Sequence, residues 1–171
     1  EEGKLVLHPE VLDAASLARK ACQEMEGGAG QRGVKLEIEA SVDTAVLKGD
    51  GAVLRRVLDN LLSNAIEHSP QGGTVRVAVT LCDEGIEIAV SDQGPGVPAE
   101  FRERIFEKFQ RLESRRSVPG ANRGLGLTFC RLAVEAHGGT IWVDDAPSGG
   151  ALFRALLPAT EAEQPVEAAS A

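Results

Sequence analysis

Two runs of strict alternation constrain the fold of this chain more than any other feature: Val75, Val77, Val79 and Leu81, then Ile86, Ile88 and Val90, with Asp83-Glu84-Gly85 between them. A period of two sends these side chains to one face of a strand, and the short Gly-containing turn makes the pair a hairpin. A sheet with one apolar face has to be covered on that face. Asp92 shares the parity of Ile86, Ile88 and Val90. The strand therefore ends by pointing a carboxylate toward the core side, where a charge needs a partner.

The covering layer is written in helical periodicity. Val11, Leu12, Ala15, Leu17, Ala18, Ala21, Cys22 and Met25 predict a first helix over 9–27, stopped by Gly27-Gly28. Asp50 caps a second, whose stripe is Leu54, Val57, Leu58, Leu61, Ala65 and Ile66, ended by Ser69-Pro70. A short helix is expected from Pro98 to Phe109 and a longer one over 124–137, with His137 in its last turn, where a cation favours the dipole. Further strands are expected around Val34–Ile38, Thr44–Leu47, Thr140–Val143 and Ala151–Leu157. Helices interspersed among antiparallel strands favour an α/β fold: a two-layer sandwich with a mixed, mostly antiparallel sheet covered on one face by helices. One domain is expected over 1–158, and the Ala/Glu/Pro/Ser composition of 159–171 reads as a disordered tail or linker.

Composition narrows the function classes. A net charge of −8 argues against nucleic acid as a partner. No apolar run approaches the roughly 18 residues of a membrane span. Cys22, Cys82 and Cys130 are widely spaced, which disfavours disulfides and zinc and favours small buried thiols in a reduced compartment. Against the acidic background, Arg102, Arg104, Lys108, Arg111, Arg115, Arg116 and Arg123 face only Glu103, Glu107 and Glu113 over 102–123. That stretch focuses a small polyanion. Residues 111–123 have no periodicity and contain Pro119, Gly120 and Asn122, the composition of a loop able to act as a lid.

Several polar positions recur at meaningful spacing. Asn60 and Asn64 lie one helical turn apart, on a line beside the leucine stripe, and His68 continues it toward the same side. Gly124 and Gly126 open a helix directly after the basic loop, where free amides and the dipole favour an anion and glycine permits close approach. Gly94-Pro95-Gly96-Val97-Pro98-Ala99 formally matches a dinucleotide fingerprint, but the second parallel strand that fingerprint requires is missing from 111–123.

Taken in order, Asn60-Leu61-Leu62-Ser63-Asn64, Asp92-Gln93-Gly94-Pro95-Gly96, Phe106-Glu107-Lys108-Phe109 and Gly124-Leu125-Gly126-Leu127 resemble the four motif boxes of the catalytic ATP-binding domain of bacterial two-component sensor histidine kinases, in the superfamily shared with gyrase-type ATPases. The resemblance covers residues 3–158. It implies a Bergerat-type fold, ATP and Mg²⁺ as cofactors, and transfer of the terminal phosphate to a histidine on a separate upstream dimerisation domain. Partners implied with it are that phosphoacceptor domain, a response regulator receiver domain, and a second copy in a homodimeric parent whose kinase part is cytoplasmic. On its terms Asp92 holds the adenine amine, Asn64 ligates the metal, and Lys108 and Arg111 stand near the phosphates. Gly94, Gly96, Arg123, Gly124, Leu125, Gly126 and Leu127 complete the expected nucleotide contacts, with Phe106 and Phe109 anchoring the loop. Asn122 stands where the family pattern has glycine. Asn60 occupies the place of the glutamate base in hydrolytic relatives, so direct hydrolysis is expected to be slow. Two alternatives share the pattern: an anti-sigma serine kinase of the same superfamily, and a nucleotide-binding scaffold without catalysis.

Overall fold

The structure is a computed structural model that describes residues 4–108 and 126–160. Its order is β1 (Glu10–Asp13), α1 (Ala14–Gln31), β2 (Lys35–Ala40), β3 (Val46–Gly49), α2 (Gly51–His68), β4 (Thr74–Cys82), β5 (Gly85–Ser91), two 3-10 turns (Ala99–Phe101 and Arg104–Phe106), α3 (Gly126–Ala136), β6 (Thr140–Asp145) and β7 (Ala151–Leu157). Five strands form one mixed sheet in the order β2-β4-β5-β7-β6, parallel only between β2 and β4. The pair β1-β3 is separate and antiparallel.

Register explains why one face is dry. Val77 stands opposite Val90 and Val79 opposite Ile88, while Val90 in turn faces Phe153 and Ile88 faces Ala155. All of these are buried. They pack in one cluster with Leu54, Val57, Leu58, Leu61, Leu62, Ala65 and Ile66 of α2 and with Cys130, Ala133 and Val134 of α3. Each Val, Leu, Ile or Phe among them, withdrawn from water, contributes about 1.5–3 kcal/mol, well above any local propensity. Covered on one face by helices, the sheet has the expected architecture.

The start of the chain departs from expectation. Residues 10–13 form β1, pairing Glu10 with Gly49 through to Asp13 with Val46, so the first helix begins at Ala14 rather than at Pro9. Asp13 caps α1, its carboxylate accepting from Ala15 N–H at 3.1 Å and from Ala45 N–H at 2.7 Å. Nor do Gly27 and Gly28 stop α1, which runs to Gln31. A glycine costs a helix about 1 kcal/mol. Ala18, Ala21, Cys22 and Ala29 lie buried along one stripe and carry the helix past them. The single helix expected from Pro98 is instead two 3-10 turns, and Phe109 lies outside the described residues.

α2 begins as expected at Asp50, whose Oδ1 accepts from Val53 N–H at 3.1 Å and whose Oδ2 accepts from His8 N–H at 2.9 Å. The His8 and Val53 amides hold the Asp50 carboxyl below its usual range. A carboxyl lowered by folding stabilises above its unfolded pKa, and that contribution is lost as pH falls through the folded one.

His137 behaves differently from the dipole reading. Its Nε2 accepts from Asp50 N–H at 3.0 Å and its Nδ1 lies 2.7 Å from Ala133 O. Only the neutral ring with its proton on Nδ1 serves both. The ring thus ties the end of α3 to the cap of α2. We expect His137→Ala to destabilise the domain by about 1–3 kcal/mol, because the Asp50 amide loses its acceptor. An unchanged urea midpoint would contradict this bridge.

Cys22 and Cys130 are buried, and burial pushes their thiols up to about 11 and about 12. Cys82, expected inside, is exposed at the hairpin end, where its thiol lies 3.3 Å from Gly85 O. No helix among the described residues is long and apolar enough to cross a membrane.

Candidate nucleotide site

Where β5 ends beneath the last turn of α2, Asp92 is 1% exposed, as its parity predicts. Its Oδ1 accepts from Gly94 N–H at 2.9 Å and from Ala151 N–H at 3.1 Å. Its Oδ2 is buried with no partner among the described residues. The residue therefore caps its own turn and still holds one oxygen for a donor. A buried acceptor left open costs about 1–3 kcal/mol, so a ligand that completes it is favoured.

The backbone around Asp92 leaves no room for side chains. A Cβ on Gly94 would stand 2.4 Å from His68 O, and one on Gly150 would stand 2.1 Å from Asp92 O. Gly150 also has φ +93°, a left-handed conformation suited to glycine. Gly96 is buried against the Gly150 backbone. Gln93 fastens the loop at both sides, its N–H donating to Ser69 Oγ at 3.4 Å and its Oε1 accepting from Thr74 N–H at 2.7 Å.

Along α2, Asn60, Asn64 and His68 are all half-buried, as expected for a line at the edge of the core. Asn60 Nδ2 donates to Gly126 O at 3.4 Å, so the first residue of α3 is tied to the middle of α2. The Cys130 thiol lies 3.7 Å from Val57 O, and against the larger upward effect of burial the Asn60 amide nearby lowers its pKa. Asn64 Nδ2 is buried without a partner among the described residues. The two ends of an amide are nearly isosteric, so a rotation presents the oxygen at the same place. No cluster of three His, Cys, Asp or Glu side chains able to hold a metal exists among the described residues. Any divalent ion at Asn64 would need oxygens from its ligand.

The other expected residues divide. Gly126 and Leu127 open α3 beside Asn60. Lys108 is exposed at the edge of the described chain, while Arg111, Arg123, Gly124 and Leu125 lie outside it with the expected lid. Phe106 is buried edge-on to Phe153, ring centroids 6.1 Å apart, and so serves the core. Arg102 spends its charge on Asp145 at 2.9 Å.

Three contributors escaped the sequence reading. Gly150 and the Ala151 amide reach Asp92 across 59 residues of chain, and the only local hint was the Gly149-Gly150 pair before β7. Cys130 was read as a plain apolar thiol. Its contact with Asn60 has no sequence signature.

Helices over one face of a mixed sheet, with orphaned polar atoms gathered where β5 and β7 end under α2, define an ATPase-type α/β sandwich. Residues 49–161 match the family of histidine kinase-, DNA gyrase B- and HSP90-like ATPases, and the chain belongs to that family. It is 35% identical over 156 residues to the adaptive-response sensory kinase SasA of Nostoc sp., covering 91% of this chain and 38% of the relative. With the sensor histidine kinase TmoS of Ectopseudomonas mendocina it is 38% identical over 147 residues, 85% of this chain and 15% of that protein. The chain thus spans less than half the length of these relatives. Among solved structures, a mycobacterial sensor histidine kinase, MprB, superposes with a TM-score of 0.75 at 31% identity, covering 90% of this chain and 98% of that one. Full-length ShkA in complex with AMPPNP superposes with a TM-score of 0.80 at 28% identity, covering 98% of this chain and 34% of that one. The domain is the catalytic ATPase part found in histidine kinases.

Proposed function

We propose that this chain binds Mg-ATP between α2, the loop after β5 and the start of α3, and delivers the γ-phosphate to a histidine on a separate phosphoacceptor domain. The buried Oδ2 of Asp92, without a partner among the described residues, carries the reading. It is a buried acceptor with a steric frame of glycine backbone, suited to the exocyclic amine of adenine. Guanine would offer a carbonyl oxygen at the same place and be repelled. His68, Gly94 and Gly96 bound the base, while Asn64, Asn60 and the opening of α3 at Gly126 and Leu127 face the phosphates. The resemblance adds Lys108, Arg111, Arg123, Gly124 and Leu125 to the proposed phosphate contacts.

The metal fits the donor set. Asn64 is neutral, its amide Nδ2 has no partner among the described residues, and Mg²⁺ favours a few protein oxygens with phosphate and water completing the shell. Asn64 would hold the ion, and the chemistry supplied there would be neutralisation of charge developing on the transferred group. The chain's own contribution is positioning. Asn60 cannot take a proton from water, so an ATP site without an aligned nucleophile stays idle. From a parent homodimer, phosphate would pass on to a response regulator receiver domain.

Asp92→Asn should weaken ATP by about ten- to a hundred-fold, as expected for losing a charge-assisted hydrogen bond worth roughly 1.5–3 kcal/mol. Wild type should prefer ATP to GTP. Calorimetric titrations that superimpose for wild type and mutant would remove the adenine assignment.

A further inference from the structure

We propose that Arg56 reads the terminal phosphate, setting the preference of this site for a nucleoside triphosphate over a diphosphate; this rests on the nucleotide reading above. The base end of the pocket is fixed by Gly94 packing on His68 O, at the C-terminus of α2. Polar side chains then succeed one another toward the N-terminus at four-residue steps: Asn64, Asn60 and Arg56. Each step advances about 6 Å along the axis and turns about 40° around it, so the three share one flank of the helix. Arg56 therefore lies past Asn60, at the end of the line farthest from the base.

α3 runs back along the same flank. Gly126 sits at Asn60, Cys130 at Val57, and Phe129 carries the Arg56 guanidinium 4.0 Å above its ring centroid. The guanidinium is thus held beside the first turns of the helix whose N-terminus faces the site. Its charge is also uncommitted. Arg55, next in sequence, pairs with both Glu24 and Asp59, whereas Arg56 makes no ion pair among the described residues and its side chain is exposed. An arginine stacked on an aromatic face keeps its fork of N–H donors free at the ring's rim. A phosphate oxygen arriving at that end of α2 meets a preorganised donor, while a diphosphate ends short of it.

The test compares AMPPNP and ADP with Mg²⁺ by calorimetry in the wild type, Arg56→Gln, Arg56→Lys and Phe129→Leu. Arg56→Gln should lose about ten-fold in AMPPNP affinity and less than about two-fold in ADP affinity. Arg56→Lys should recover part of the difference, and Phe129→Leu should weaken AMPPNP while sparing ADP. Equal loss for both nucleotides, or no loss, overturns the role of Arg56 even if wild type binds both. Thermal melts of each variant separate a merely structural clamp between α2 and α3, which would lower the midpoint without changing the ratio of the two affinities. Wild type that binds neither nucleotide would overturn the nucleotide reading along with this one.

Discussion

Gly150→Ala should cost the domain about 3 kcal/mol or more and take nucleotide binding with it. The added Cβ would stand 2.1 Å from Asp92 O and 2.7 Å from both Asp92 C and Oδ1, at a residue whose φ is +93°. A non-glycine residue in that region costs of order 1–3 kcal/mol, and overpacking adds a similar amount. Relief is available only by parting β5 from β7, which breaks the Asp92 N–H bond to Ala151 O at 2.9 Å and turns the carboxylate away. Gly149→Ala is the control. It shares a positive φ, +85°, but nothing lies within 4 Å of its Cβ, so it should lose only the conformational part. Urea midpoints and ATP titrations measure both variants. If Gly150→Ala unfolds and binds like wild type, the close approach of these two strand ends is wrong.

The second large effect is kinetic. Asn64→Ala should lower phosphotransfer to an acceptor histidine domain by at least about 100-fold, while nucleotide binding in the presence of chelator stays near wild type. A positioned metal supplies several kcal/mol of transition-state charge stabilisation, and each 1.36 kcal/mol is a factor of about ten. The amide is half-buried and its Nδ2 has no partner among the described residues, so its removal breaks no hydrogen bond of that atom. Labelled ATP, supplied with and without the acceptor domain, gives the rate. Normal transfer by the mutant would exclude Asn64 as the metal ligand.

Local chemistry with an unambiguous period was readable in the sequence. The β4–β5 hairpin, the Asp50 cap and the α2 stripe follow from neighbours within a few residues, and the inward aim of Asp92 follows from parity alone. β1 was not readable, because Val11 and Leu12 satisfy a helical template as well as a strand, and pairing with residues 46–49 decides between them. Gly27 and Gly28 misled for a related reason: the buried Ala29 beyond them outweighs their propensity. At the site, Asn60, Asn64 and Gly94 could be named through the resemblance of their motif boxes, spacing adding only that the two asparagines share one line of α2. The roles of His137 on Asp50, of Ala151 on Asp92 and of Phe129 beneath Arg56 depend on contacts between distant segments. The lid expected over 111–123 lies outside the described residues.

The strand order β2-β4-β5-β7-β6 also sets a timetable for synthesis. Within this sheet β7 is the last described strand to be made, yet it lies between β5 and β6 and supplies the Ala151 amide to Asp92. While the chain is leaving the ribosome, α1, α2 and the β4–β5 hairpin can collapse with β5 as a bare edge, and β6 has no neighbour to pair with until β7 arrives. Long-range pairings of this kind close late and leave an edge open to misassembly in the meantime. A nascent chain that has not yet released residue 157 should therefore be unable to retain nucleotide, however complete its helices.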